Sequence, residues 1–105
     1  MAKENILTSL IKRQSARYGS RPAIFTRTDD GRWMPIGWDT LAADINAAAC
    51  ALETLGAPEE SKLAVFSPNL AQIIVTDLAA FANRVVPVSI YATSSPEQVE
   101  YIVRD

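Results

Sequence analysis

A chain of 105 residues, 49% hydrophobic and 21% charged, supports one folded domain at most and is too apolar for intrinsic disorder. Its net charge of −2 gives no global pull toward nucleic acid or anionic membranes. Its longest apolar runs, broken at Thr76 and Asp77, fall far short of the ~20 residues that a transmembrane helix needs. Met1-Ala2-Lys3-Glu4-Asn5 has no apolar signal core, and the single Cys50 can form no internal disulfide, so a cytosolic protein is expected.

The spacing of Ile6, Leu7, Leu10, Ile11, Gln14 and Tyr18 predicts a helix over residues 5–18, ended by Gly19 in a left-handed C-cap. Its basic residues, Lys12, Arg13, Arg17 and Arg21, read as a solvated face rather than a binding patch. Residues 23–28 read as a strand, Asp29-Asp30-Gly31 as a tight turn, and residues 32–38 as the returning strand. Pro35 donates no ladder hydrogen bond, so this strand is expected at an edge or bulged at that point. A second helix follows over about residues 39–55, with Leu41, Ile45, Ala48, Leu52 and Leu55 as one apolar stripe.

Lys62-Leu63-Ala64-Val65-Phe66-Ser67 reads as a strand covered on both faces. Asn69, with Gln72 three residues on, predicts a capping box opening a third helix to about Asn83, apolar almost all round and therefore well covered. Residues 85–90 form the next strand. Ser95, Pro96 and Gln98 then mark a last helix by N-cap, first position and capping box. The fold class is α/β: an N-terminal helix and β-hairpin, then helix–strand–helix–strand–helix with parallel strands joined by right-handed crossovers. The apolar face Val99, Ile102, Val103 has no following strand to pack on, so residues 1–105 read as an incomplete N-terminal subdomain of a larger fold.

Chemistry-bearing residues are few. Histidine is absent, which removes the commonest general base and metal ligand. Cys50 lies among alanines with no basic neighbour to stabilise a thiolate, and reads as a packing residue. Asp29-Asp30 and Glu59-Glu60 sit in turns, where adjacent carboxylates are usually solvated. Gly19, Gly31, Gly37 and Gly56 are scattered, with no phosphate-cradling loop and no lysine following. Ala92-Thr93-Ser94-Ser95 stands where anions bind in α/β folds, but it is accounted for by helix capping. Trp33 and Trp38 are the candidates for a surface platform, although such residues more often close one end of a core; no basic side chains interleave with them. No catalytic, cofactor-binding or metal-binding residue is assigned.

As a string of motifs the chain resembles the opening of bacterial long-chain fatty-acid–CoA ligases of the adenylate-forming superfamily. Arg17-Tyr18-Gly19-Ser20-Arg21-Pro22-Ala23-Ile24 is similar to the helix-to-strand junction that begins that domain. Gly31 to Leu41 resembles its hairpin return and first core motif, with Gly37 in place of a hydroxyl residue and Thr40 in place of an acid. Lys62 to Asn69 resembles the next strand and its Ser-Pro-Asn turn, with Gln72 replacing a glutamate. Asn83 to Ser89 resembles the second core motif, with Arg84 near the usual glycine, and Ile90 to Ile102 is the nearest stretch of all.

The resemblance implies a parent enzyme that joins a fatty acid to CoA with ATP and Mg²⁺ through an acyl-adenylate. It also implies a cytoplasmic location, at most peripheral to the inner face of the membrane. The phosphate loop, metal and ribose ligands and distal lysine that it implies match no residue here. The expectation is an inactive scaffold whose partner is the remainder of the ligase chain, with self-association through an open sheet edge or the last helix. The alternative is a free-standing, non-catalytic α/β interaction or regulatory module. A phospho-accepting receiver domain is set aside, because the strands ending at Ser67 and Ile90 offer no aspartate at their ends.

Overall fold

In the computed structural model, which describes residues 7–105, the order is α1 (Leu7–Tyr18), β1 (Pro22–Arg27), β2 (Trp33–Gly37), α2 (Trp38–Thr54), β3 (Lys62–Ser67), α3 (Ala71–Ala82), β4 (Val86–Tyr91) and α4 (Pro96–Arg104). Asn5 and Ile6, where the first helix was expected to begin, lie outside the described residues. The α/β arrangement read from the sequence is the one observed. β1 and β2 pair antiparallel, whereas β3 and β4 pair parallel from Lys62↔Val86 to Ser67↔Tyr91.

α1 stops where glycine allows it to. Gly19 takes φ +53°, and its N–H donates to the Ser15 carbonyl at 2.9 Å. The hairpin loop is longer than a two-residue turn: the Gly31 N–H donates to the Thr28 carbonyl at 2.9 Å, and Gly31, at φ +87°, takes the left-handed position. Pro35 pairs with Phe25 on a two-stranded sheet, where both strands are edges. The register shift falls instead at Ala23, between the pairs Pro22↔Gly37 and Ile24↔Ile36.

Gly37 is the N-cap of α2 and has no side chain to offer, so backbone carbonyls take over. The Trp38 N–H donates to Arg21 at 3.1 Å and the Asp39 N–H to Gly19 at 3.0 Å. The Asp39 carboxylate accepts from the Thr40 N–H at 2.8 Å. A Cβ on Gly37 would come 2.7 Å from Asp39 Oδ1 and 3.0 Å from the Ser20 carbonyl oxygen, so a hydroxyl residue has little room there. The end of α1 and the start of α2 are thus fastened together through backbone.

The core is built on Leu41 and Ile45 of α2 with Leu78 of α3. Ile11, Ala23, Ile24, Ile36, Trp38 and Val75 pack around them. The buried row of α2 is Leu41, Ile45 and Ala49 rather than the expected stripe running to Leu55. Leu55 is the C-cap, beyond the last helical turn, and is 82% exposed. Cys50, turned about 100° from Ala49 along the helix, is free and exposed, so it does not pack as expected. Asn83 ties α3 to α2, its Nδ2 donating to the Ala49 carbonyl at 2.6 Å.

Two expectations about coverage fail. Along β3 burial alternates, with Lys62, Ala64 and Phe66 exposed, because only one face of the strand is packed in this chain. α3 buries Leu78, Ala79 and Ala80 but leaves Ile74 and Phe81 exposed. The Asn69–Gln72 capping box is also absent. Leu70 is the N-cap, so Asn69 lies one residue too early to reach the third N–H of the helix. At α4 the expected box forms in full: Ser95 N–H donates to Gln98 Oε1 at 2.8 Å, and Gln98 N–H to Ser95 Oγ at 3.2 Å.

Candidate functional site

The structure disperses the few groups that could do chemistry. Asp30 lies at the hairpin tip, accepting from the Thr28 hydroxyl and, at 2.8 Å, from Arg32 Nε. The Thr28 hydrogen bond above all, with the Arg32 guanidinium behind it, holds the Asp30 carboxyl below the usual aspartate range. With the folded value depressed, this support for the turn is present above the unfolded aspartate value and fades as pH falls through the folded one. It is small because the pair is exposed. A carboxyl-detected NMR titration should place the Asp30 midpoint below that of a free aspartate and move it upward in Thr28→Val. An unchanged midpoint in that variant would remove Thr28 as the cause.

Glu60, at φ +65°, uses its backbone rather than its carboxylate, donating its N–H to the Arg84 carbonyl at 2.7 Å. The two tryptophans part company. Trp38 is half-buried, its ring centroid 6.4 Å from that of Tyr18, and closes one end of the core. Trp33 is 65% exposed on the outer face of the hairpin, where Phe25 and Pro35 also stand.

A groove runs from this hairpin to the start of α3, lined by Phe25, Trp33, Ile36, Leu41, Leu70 and Ile74, with Asp44 and Arg27 as its charged members. It can receive an apolar surface. A shallower recess lies between the exposed Phe66 of β3 and Pro96, Val99 and Val103 of α4. A third lies at the end of β4, between Tyr91, Thr93, Glu97 and Tyr101.

In the segment 92–95, which follows β4 and leads into α4, two backbone donors are occupied. The Ser94 N–H donates to the Tyr91 carbonyl at 2.9 Å, and the Ser95 and Gln98 N–H groups are closed in the capping box. Among the described residues no group of three or more Cys, Asp or Glu side chains is placed to hold a metal ion. In the sequence Asp77 stands out only as an interruption of an apolar run. Its Oδ1 is buried without a hydrogen-bond partner among the described residues, and the adjoining Ile73–Val75 and Leu78–Ala82 runs were the available signal.

This geometry defines a helix–hairpin unit leading into a parallel α/β wind, without a catalytic constellation among the described residues. Residues 11–105 match the family described as AMP-binding enzyme, and the chain belongs to it. It is 35% identical over 82 residues to the long-chain-fatty-acid–CoA ligase FadD15 of Mycobacterium bovis, covering 78% of this chain and 14% of that protein. Fatty acyl-CoA synthetase A of Dictyostelium discoideum is 31% identical over 74 residues, covering 70% of this chain and 11% of that one. The fold is that of the crystal structure of IdnL1, with a TM-score of 0.85 at 17% identity over 98% of this chain and 21% of that chain. The chain thus spans about a seventh of the length of the curated ligase that it matches at 35% identity.

Proposed function

We propose that this chain is the N-terminal scaffold of a long-chain fatty-acid–CoA ligase, and that residues 1–105 form an incomplete subdomain of its AMP-binding domain. The parent enzyme forms acyl-CoA from fatty acid, ATP and CoA through an acyl-adenylate, in the cytoplasm. The 105 residues alone are inactive, with no catalytic, cofactor-binding or metal-binding residue among them. Their partner is the remainder of the ligase chain.

One observation carries this reading beside the similarity to the two acyl-CoA-forming relatives. The chain exposes 7823 Å², against the roughly 5,800 Å² that a compact monomer of its mass presents. Among the surfaces left open are one face of β3, Phe81 and Ile74 of α3, and α4, in which no residue is buried. Surfaces of that kind belong against further protein. The 62% exposure of Val103 on α4 also favours a second reading, a non-catalytic interaction module that uses this helix on a separate partner.

Continuing the reading frame past Asp105 separates the two. The ligase reading expects a Ser/Thr/Gly-rich loop ending in lysine and a distal catalytic lysine; a stop codon directly after Asp105 supports the module instead. In calorimetry the 105-residue chain should give no heat of ATP binding, and stoichiometric micromolar binding would refute its inactivity. Sedimentation should show self-association through the open β3–β4 edge or α4, and a clean monomer would contradict that part.

A further inference from the structure

α3 carries a single charge. Among Ala71–Ala82 the only ionisable side chain is Asp77, and it stands between the apolar runs Ile73–Val75 and Leu78–Ala82. No cation lies three or four residues away on the helix to pair with it. Its Oδ1 is buried and has no hydrogen-bond partner among the described residues, whose ion pairs are Arg32–Asp30 and Arg104–Glu100. An ionised carboxylate only accepts, so what is missing is a donor. A buried acceptor left without one is destabilising, more so when charged, and an apolar side chain of similar size would be better tolerated there.

The missing donor belongs to a surface. At about 100° per residue, Leu70, Ile74, Asp77 and Phe81 fall within a sector of about 60° on α3. Leu70, the N-cap, is 49% exposed, Ile74 41% and Phe81 46%, while Asp77 is half-buried at the edge of the sector. Leu78, Ala79 and Ala80 lie outside that sector and are buried. Three large apolar side chains therefore flank one carboxylate on a face that the described residues leave open.

We propose that this face of α3 receives a further segment of the ligase chain, apolar and carrying one lysine or arginine whose cation pairs with Asp77. The inference rests on the reading of these residues as the N-terminal part of a ligase; the chain covers 14% of the curated ligase that it matches at 35% identity. Charge complementarity selects the occupant. A neutral apolar segment would cover the carboxylate without giving it a donor, and an acidic one would repel it. α4 of a second copy fits less well. Beside its apolar residues Val99, Ile102 and Val103 stand the acids Glu97 and Glu100, and its Arg104 is already paired with Glu100. Apolar contact with Leu70, Ile74 and Phe81 supplies the attraction. The single ion pair among them fixes the register, as a lone polar residue does in a helical seam.

The test uses the 105-residue chain and the whole ligase encoded by the continued reading frame. In the 105-residue chain Asp77→Leu should leave the urea midpoint unchanged or raise it, because no partner is lost. In the whole ligase the same substitution should lower the melting temperature by about 2 °C or more, with Asp77→Asn between it and the parent. With p-benzoylphenylalanine in place of Phe81, irradiation of the whole ligase should form an adduct with residues beyond Asp105 of the same molecule. Replacing the lysine or arginine nearest that adduct with glutamine should lower the melting temperature as Asp77→Leu does, and the double variant should fall little further. A lowered midpoint in the 105-residue chain would overturn the proposal, as would an unmoved melting temperature in the ligase. So would an adduct to a second copy or to another protein, no adduct at all, or additive losses in the double variant. A frame that encodes no ligase beyond Asp105 removes the ligase reading and this proposal together, whereas each of the other failures leaves that reading standing.

Discussion

Leu41→Ala should lower the stability of this chain by about 3 kcal/mol, within the 2–5 kcal/mol range of buried leucine truncations. Leu41 is 3% exposed, and side chains from α1, β1, β2, α2 and α3 converge on its cluster: Ile11, Ala23, Ile24, Ile36, Trp38 and Val75. The side chains around the space are already packed there, with Ile45 and Trp38 beside it on α2 and Leu78 on α3. A domain of this size commands about 5–15 kcal/mol in total, so the loss is a large share of what holds it folded. Leu55→Ala removes the same atoms from a side chain that is 82% exposed, and should change stability by no more than about 0.5 kcal/mol. Urea denaturation of the two variants beside the parent decides it: equal shifts of midpoint would mean that Leu41 is not the centre of the core. Amide exchange should accelerate across the hairpin in Leu41→Ala, because that is the half the cluster joins to the helices.

The parts of the fold that were legible in the sequence are those fixed by local chemistry. β3 was readable residue for residue, and the Ser95–Pro96–Gln98 start of α4 was readable down to its hydrogen bonds. The positive φ of Gly19 and Gly31 followed from residue type alone. What could not be read depends on which neighbour arrives. The apolar runs of β3 and α3 look fully buried because their composition suits two covered faces, yet one face of each stays open here. The start of α3 moved because a capping side chain is useful only one residue before the first helical turn, and helix phase is set by the burial of Leu78, Ala79 and Ala80. At Gly37 the sequence announced a missing cap but not its substitute, the carbonyls of Gly19 and Arg21, because those come from another element. Of the candidate site the sequence offered only residue types: without histidine or clustered glycines it gave no local motif on which to place chemistry, and the groove between the hairpin and α3 depends on elements distant in sequence.

Gly56→Ala and Arg84→Gly should shift stability in opposite directions by about 1 kcal/mol each. Both residues occupy the same position in the same motif. After α2, the Gly56 N–H donates to Glu53 and the Ala57 N–H to Leu52; after α3, the Arg84 N–H donates to Phe81 and the Val85 N–H to Ala80. Each pair is a Schellman closure, and in each the residue beyond the cap is left-handed, Gly56 at φ +82° and Arg84 at φ +57°. A side chain in that conformation costs about 1–2 kcal/mol, which glycine avoids at an entropic cost of about 0.5–1 kcal/mol in the unfolded chain. Nothing lies within 4 Å of a Cβ built on Gly56, so Gly56→Ala reports backbone strain without a clash. Arg84 is exposed and makes no ion pair among the described residues, so its replacement forfeits little on the side-chain side. The resemblance to acyl-CoA ligases also leads one to expect a glycine near Arg84. Its carbonyl is held by the Glu60 N–H at 2.7 Å, and Val85 beyond it is 2% exposed, so the closure persists whichever residue stands there. The two sites lie at the ends of different helices and should add in the double variant, returning it close to the parent. A destabilised Arg84→Gly in thermal melts would refute the account, and would mean that the arginine side chain contributes more than its strained backbone costs.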